Sequence, residues 1–163
     1  MNNNQALFFD ACRRGNLQEV TTIFEQDSTL INTTDSKGFT PLILAVYNEQ
    51  PTIVDFLLQN GAQVDAQDFA GNTALMGVCF KGYKSIAEQL LAAGADVNVQ
   101  NANNATALTF AATFGHLAIA EMLLQRGADV QVRDVTGKSP LDHAIIQEND
   151  AMADLLEQYL NQQ

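Results

Sequence analysis

The sequence predicts an all-α solenoid, and three observations carry the prediction. A hydroxyl residue, a small residue and a leucine recur at a fixed step of 33 residues, as Thr40-Pro41-Leu42, Thr73-Ala74-Leu75, Thr106-Ala107-Leu108 and Ser139-Pro140-Leu141. A turn residue precedes each triplet at the same step, as Asp35, Asp68, Asn101 and Asp134. A leucine pair and a Gly-Ala pair close the units, as Leu57-Leu58 with Gly61-Ala62 and its copies at Leu90-Leu91 and Leu123-Leu124. Self-similarity at this period is the mark of stacked supersecondary units that bury their apolar faces only against their neighbours.

Each element follows from its columns. Gly38, Gly71, Asn104 and Gly137 stand three residues after the turn residue. Asparagine is the best substitute for glycine where φ is positive, so Asn104 fits the column. The hydroxyl of each triplet is an N-cap, accepting from the free N–H groups of the first turn, and proline suits the next position because its missing N–H costs nothing there. Ala45, Val78, Ala111 and Ala144 put small residues where first helices pack closely. Ile53, Ile86, Ile119 and Met152, with the leucines, make the second helices. The closing glycines act as left-handed C-caps.

Thr-Pro-Leu followed by a small residue, at a 33-residue period, resembles the ankyrin repeat over nearly the whole chain. The resemblance implies three full units at 35–67, 68–100 and 101–133, each with a short hairpin-like finger. A divergent N-terminal capping unit occupies 1–34 and a truncated C-terminal one 134–163, all within one domain. The histidine usual after Thr-Pro-Leu is replaced by Ile43, Met76, Thr109 and Asp142, so its hydrogen bond is expected to be absent. Glu49 and Glu148 replace the glycine between helices, and Asn48 or Asn149 is expected to take the left-handed turn. Units two and five are expected to be locally weaker.

Composition limits the functions. Apolar residues make up 47%, which is globular, and no apolar run reaches the ~20 residues that span a bilayer. The first residues lack a basic stretch, which speaks against a secretory signal and for the cytoplasm. Two cysteines, Cys12 and Cys79, make no disulfide framework and no zinc site. They share a column with Ala112 and read as small buried hydrophobes, with Arg13 and Arg14 keeping a reactive thiol open for Cys12. His116 reads as structural, and His143 as a lone surface or interface histidine. No phosphate-binding glycine loop is present, and the 19 carboxylates are scattered. The expectation is a chain without catalysis or cofactor, a monomer when free. The net charge of −11 opposes nucleic acid and anionic membranes.

In proteins it resembles, contacts come from the fingers and the exposed ends of first helices, which line a concave groove. Carried over column by column, those positions include Arg13, Arg14, Lys37, Phe39, Tyr47, Phe69, Phe80, Lys81, Phe114, Arg133 and Lys138. They hold six of the eight basic residues and none of the acids. Acids such as Glu19, Asp55, Glu88, Glu121 and Asp154 fall on second helices, although Asp35, Asp68 and Asp134 stand near the fingers. The implied function is binding of a partner protein through an aromatic, basic groove, as an inhibitor or regulator of an enzyme. An adaptor subunit using the acidic convex face is the alternative. Phe69, Phe80 and Phe114 either stand exposed as anchors or pack half-buried against neighbouring helices.

Overall fold

The computed structural model describes residues 3–162. Met1, Asn2 and Gln163, the ends of the first and last expected units, lie outside the described residues. Among those described there are ten α-helices and no strand, arranged as five antiparallel pairs. The pairs are α1 (Asn3–Arg14) with α2 (Leu17–Gln26), α3 (Pro41–Tyr47) with α4 (Pro51–Gln59), and α5 (Ala74–Lys81) with α6 (Lys84–Ala92). Then come α7 (Ala107–Phe114) with α8 (Leu117–Gln125), and α9 (Pro140–Ile146) with α10 (Asp150–Leu160). A 3-10 turn at Ser28–Asn32 leads from the first pair into the first finger.

Helices of seven or eight residues are marginal alone, so capping and burial must hold α3, α5, α7 and α9. Thr40, Thr73, Thr106 and Ser139 each accept from the backbone N–H three residues on. Leu42, Leu75 and Leu108 lie in the core, and Ala45, Val78, Ala111 and Ala144 are sealed between first helices. Two of the replaced histidines supply another bond. Thr109 Oγ1 accepts from the Thr106 N–H and Asp142 Oδ2 from the Ser139 N–H, completing capping boxes.

The fingers are turns tied by their first residue. One side-chain oxygen of Asp35 accepts from the Lys37 and Phe39 N–H groups, and Asp68, Asn101 and Asp134 repeat the pattern. Adjacent fingers join through single backbone bonds, Phe69 N–H to Lys37, Ala102 N–H to Ala70 and Val135 N–H to Asn103. Gly38 has φ 81°, and a Cβ there would lie 2.7 Å from the Phe69 backbone nitrogen, so the stacking itself demands glycine. Asn104 takes the same left-handed conformation at φ 56°.

One expectation is overturned. The left-handed residues are Glu49 and Glu148, at φ 52° and 54°, while Asn48 and Asn149 have φ of −99° and −98°. Position decides this. The Gln50 and Asn149 N–H groups must reach back to the Ala45 and Ala144 carbonyls, and only a left-handed residue just before them permits it. The asparagines are otherwise engaged. Asn48 Nδ2 donates to the Leu44 carbonyl, and Asn149 Oδ1 caps α10 by accepting from the Met152 N–H.

Nothing in the described residues covers the outer side of α9. Ile145, in the column of the sealed Val46, Cys79 and Ala112, is 57% exposed.

Candidate functional site

The groove positions divide by what stands beneath them. At its N-terminal part, Lys37, Phe39, Tyr47, Asp68, Phe69 and Asn72 line a cleft of about 480 Å³. Tyr47 lies over Gly77, where an added Cβ would sit 3.2 Å from the ring. Glycine thus lets the ring sink, and Tyr47 is half-buried and tilted against Phe39 at 6.2 Å. Burial, with the nearby Asp68 carboxylate, raises the phenol above its ordinary range. Phe39 also packs on the core, whereas Phe69 is 76% exposed.

One unit further on, Phe110 occupies the column of Gly77. Phe110 stacks on Phe114 at 6.4 Å, and Phe114 meets Phe80 edge-on at 4.8 Å. Phe80 and Phe114 stay 42% and 46% exposed. Beside them a second cleft of about 460 Å³ is bounded by Phe110, Thr113, Phe114, Asp134, Val135 and His143. His143 is therefore no lone surface histidine. Its Nε2 donates to Asp134 Oδ2 at 2.6 Å, tying α9 to the last finger. Burial would raise the Asp134 carboxyl. Bonds from the Thr136 hydroxyl, His143 and the Lys138 and Thr136 N–H groups overcome it and hold the group well below its usual range.

The basic residues are less available than their count suggests. Arg14 turns to Asp10 and Glu19 at 2.8 and 2.9 Å, and Arg13 lies 3.9 Å from Asp35. Arg133 donates to the Gly137 carbonyl and Asp142, and the Lys138 ammonium to the Thr136 hydroxyl. Lys37 and Lys81 are exposed, with no ion pair among the described residues, and Lys81 sits 5.9 Å from the Tyr83 ring centroid. The face is aromatic, with two ammonium groups that make no ion pair among the described residues.

Other candidates are structural. Cys12 and Cys79 are sealed in the core, and burial pushes the Cys12 thiol up to about 12 despite Arg13. His116 Nε2 donates to the Phe80 carbonyl at 3.2 Å, its ring filling the space over Gly82. No group of side chains suited to a metal occurs among the described residues, and no described helix is long and apolar enough to cross a membrane. Sequence reasoning missed the His143–Asp134 pair and the role of Phe110. The tenth column of the units, Leu44, Gly77, Phe110 and His143, was the signal that pointed to both.

Stacked helix pairs with projecting fingers and an open face define an interaction scaffold. The comparisons agree. The family described as ankyrin repeats (3 copies) matches residues 1–68 and again 69–163, and the chain belongs to the ankyrin-repeat family. BTB/POZ domain-containing protein 3 of Schizosaccharomyces pombe is 43% identical over 53 residues, 32% of this chain and 10% of that protein. Ankyrin repeat family A protein 2 is 47% identical over 49 residues in both Mus musculus and Homo sapiens, 30% of this chain and 15% of each protein. The matches thus span 15% or less of these relatives. Ankyrin repeats are generally protein–protein interaction modules and generally non-catalytic.

Proposed function

We propose that this chain binds a partner protein through its concave face and acts by occlusion, as an inhibitor or regulator of an enzyme inside the cell. The observation that supports this is the Phe80–Phe114 pair, two rings in edge-to-face contact and nearly half exposed on adjacent first helices. Exposed aromatics in contact are the usual anchors of interfaces, and a soluble chain gains nothing by leaving them bare. Lys37 and Lys81 favour a partner segment that is apolar with a local acidic group. In this reading the chain carries no catalysis, binds no nucleic acid and is monomeric when free.

The test replaces both rings, Phe80→Glu with Phe114→Glu, and uses wild-type and variant chains side by side as bait in the source lysate. The expected result is a partner enriched on the wild type and absent from the variant, with the helical circular dichroism of the two unchanged. Retention of the same partner by the folded variant would sink the groove reading.

One feature of the back favours a second reading. Asp55, Glu88, Glu121 and Asp154 recur in one column of the second helices, all exposed, as an acidic stripe. An adaptor subunit engaging a basic partner there would lose binding steeply as salt rises.

A further inference from the structure

Each finger is headed by a residue whose side chain has two polar arms, and the first arm has the same task in all four. Oδ1 of Asp35, Asp68, Asn101 and Asp134 accepts from the turn amides. The second arm differs. Asp35 Oδ2 lies 3.9 Å from the Arg13 guanidinium, Asn101 Nδ2 donates to Asn72 Oδ1 at 2.9 Å, and Asp134 Oδ2 accepts from His143. Asp68 Oδ2 alone makes no hydrogen bond and no ion pair among the described residues.

The columns give the reason. Arg13 ends the first helix of the unit before Asp35, and the matching position before Asp68 holds Tyr47. His143 stands nine residues after Asp134, and the residue nine after Asp68 is Gly77. Neither neighbour brings a positive charge. Asp68 is only 8% exposed, yet water reaches Oδ2, because the one sealed side-chain polar atom without a partner among the described residues is Gln89 Oε1. Asp68 borders the N-terminal cleft of about 480 Å³, and the Tyr47 hydroxyl in that cleft feels its charge. A carboxylate buried to this degree without a counter-ion is costly, and a cation set against it gains more than it would in water.

The rest of the cleft selects among cations. Its walls include the rings of Phe39, Tyr47 and Phe69, which suit an apolar stem carrying a charged head. Lysine and arginine have that form. Oδ1 already holds two amides, so one oxygen is left, whereas a guanidinium fork is matched to two. An ammonium is a point charge that a single oxygen satisfies, with further donors for the Tyr47 hydroxyl, which makes no hydrogen bond within the protein. An aliphatic occupant would strip water from Oδ2, and an acidic one would be repelled by it. Lys37, exposed beside the same cleft, makes no ion pair with Asp68 and is left to the acidic group of the partner segment.

We propose that this cleft is a lysine site, which takes a lysine side chain of the groove partner with its ammonium on Asp68 Oδ2 and its stem against Phe39, Tyr47 and Phe69. The inference rests on the groove reading and deepens it to the residue that the partner inserts.

The probes are N-acetyl-lysine methylamide and its norleucine and arginine counterparts, titrated into the full chain at low salt and followed by the amide NMR signals of Lys37, Asp68 and Asn72. The lysine probe should saturate with an affinity roughly tenfold above the uncharged norleucine probe, the worth of one charge-assisted hydrogen bond, and above the arginine probe as well. Bound lysine should bring the raised Tyr47 phenol down, since a nearby cation favours the phenolate. Asp68→Asn should remove the preference for lysine from a chain that stays folded, because Asn101 already holds the same turn with an amide oxygen. Equal affinity for the lysine and norleucine probes, arginine binding as tightly as lysine, a Tyr47 titration that lysine leaves unmoved, or a preference retained by Asp68→Asn would overturn the proposal. Absence of saturable binding would do so too, and if Phe80→Glu with Phe114→Glu still costs the protein partner, the groove reading stands without it.

Discussion

Tyr47 and Phe80 occupy the same column of adjacent units, yet the concave face treats the two rings in opposite ways. In the N-terminal cleft Tyr47 sinks over Gly77 and joins the packed interior. One unit further on Phe110 fills the column of Gly77, Phe114 stacks on Phe110, and Phe80 meets Phe114 edge-on with both outer rings still nearly half exposed. The difference teaches that in a repeat array one residue beneath the surface decides whether an aromatic at the surface stabilises the fold or remains available to a partner. The helices that carry the rings also end differently, α3 in a strained left-handed Glu49 and α7 in Gly115 at φ 76°.

The sharpest way to break the comparison is truncation of one ring on each side. Tyr47→Ala should destabilise the chain by about 2 kcal/mol and Phe80→Ala by less than about 1 kcal/mol, since only the first ring is largely packed. Equal midpoints in urea would show that the rings do not differ in kind. Next come the helix ends. Glu49→Gly should raise stability by roughly 0.5–1 kcal/mol by relieving a left-handed side chain, and Gly115→Ala should lower it by about 1 kcal/mol. Thermal unfolding of the pair checks the opposite signs.

A comparable or smaller effect depends on pH. The Asp134 carboxyl is depressed in the folded chain, so its contribution is complete above the unfolded carboxylate value of about 3.9 and is lost as pH falls towards the lower folded value. Its counterpart Asp68 holds its turn amides but meets no imidazole. Asp134→Asn should therefore cost about 1 kcal/mol at neutral pH, with the gap to wild type closing in acid below about pH 4. A gap that stayed constant down to pH 2 would contradict an ionised Asp134 held by His143 and the turn amides. The smallest effect is local. Gly77→Ala should lift Tyr47 towards solvent and bring its raised phenol pKa down towards the ordinary value, as read by NMR titration of that ring.

Much of this was legible in advance because it is one-dimensional. The 33-residue columns, the hydroxyl N-caps, the left-handed Asn104 and the buried cysteines all follow from chemistry within a unit, repeated in phase. The left-handed glutamates were not, because backbone bonding fixes which position turns whatever residue occupies it. The availability of the arginines was not either, since Arg14 and Arg133 find their carboxylates only once the helices and fingers are placed.

The sequence by itself determined the repeat, the caps and the column each side chain occupies, since these rest on local hydrogen bonding and on periodic burial. Only the tertiary structure decided which rings are core and which are surface, and that His143 faces Asp134 nine residues away. Those outcomes depend on contacts between successive units, where the volume of one side chain sets the room left for another.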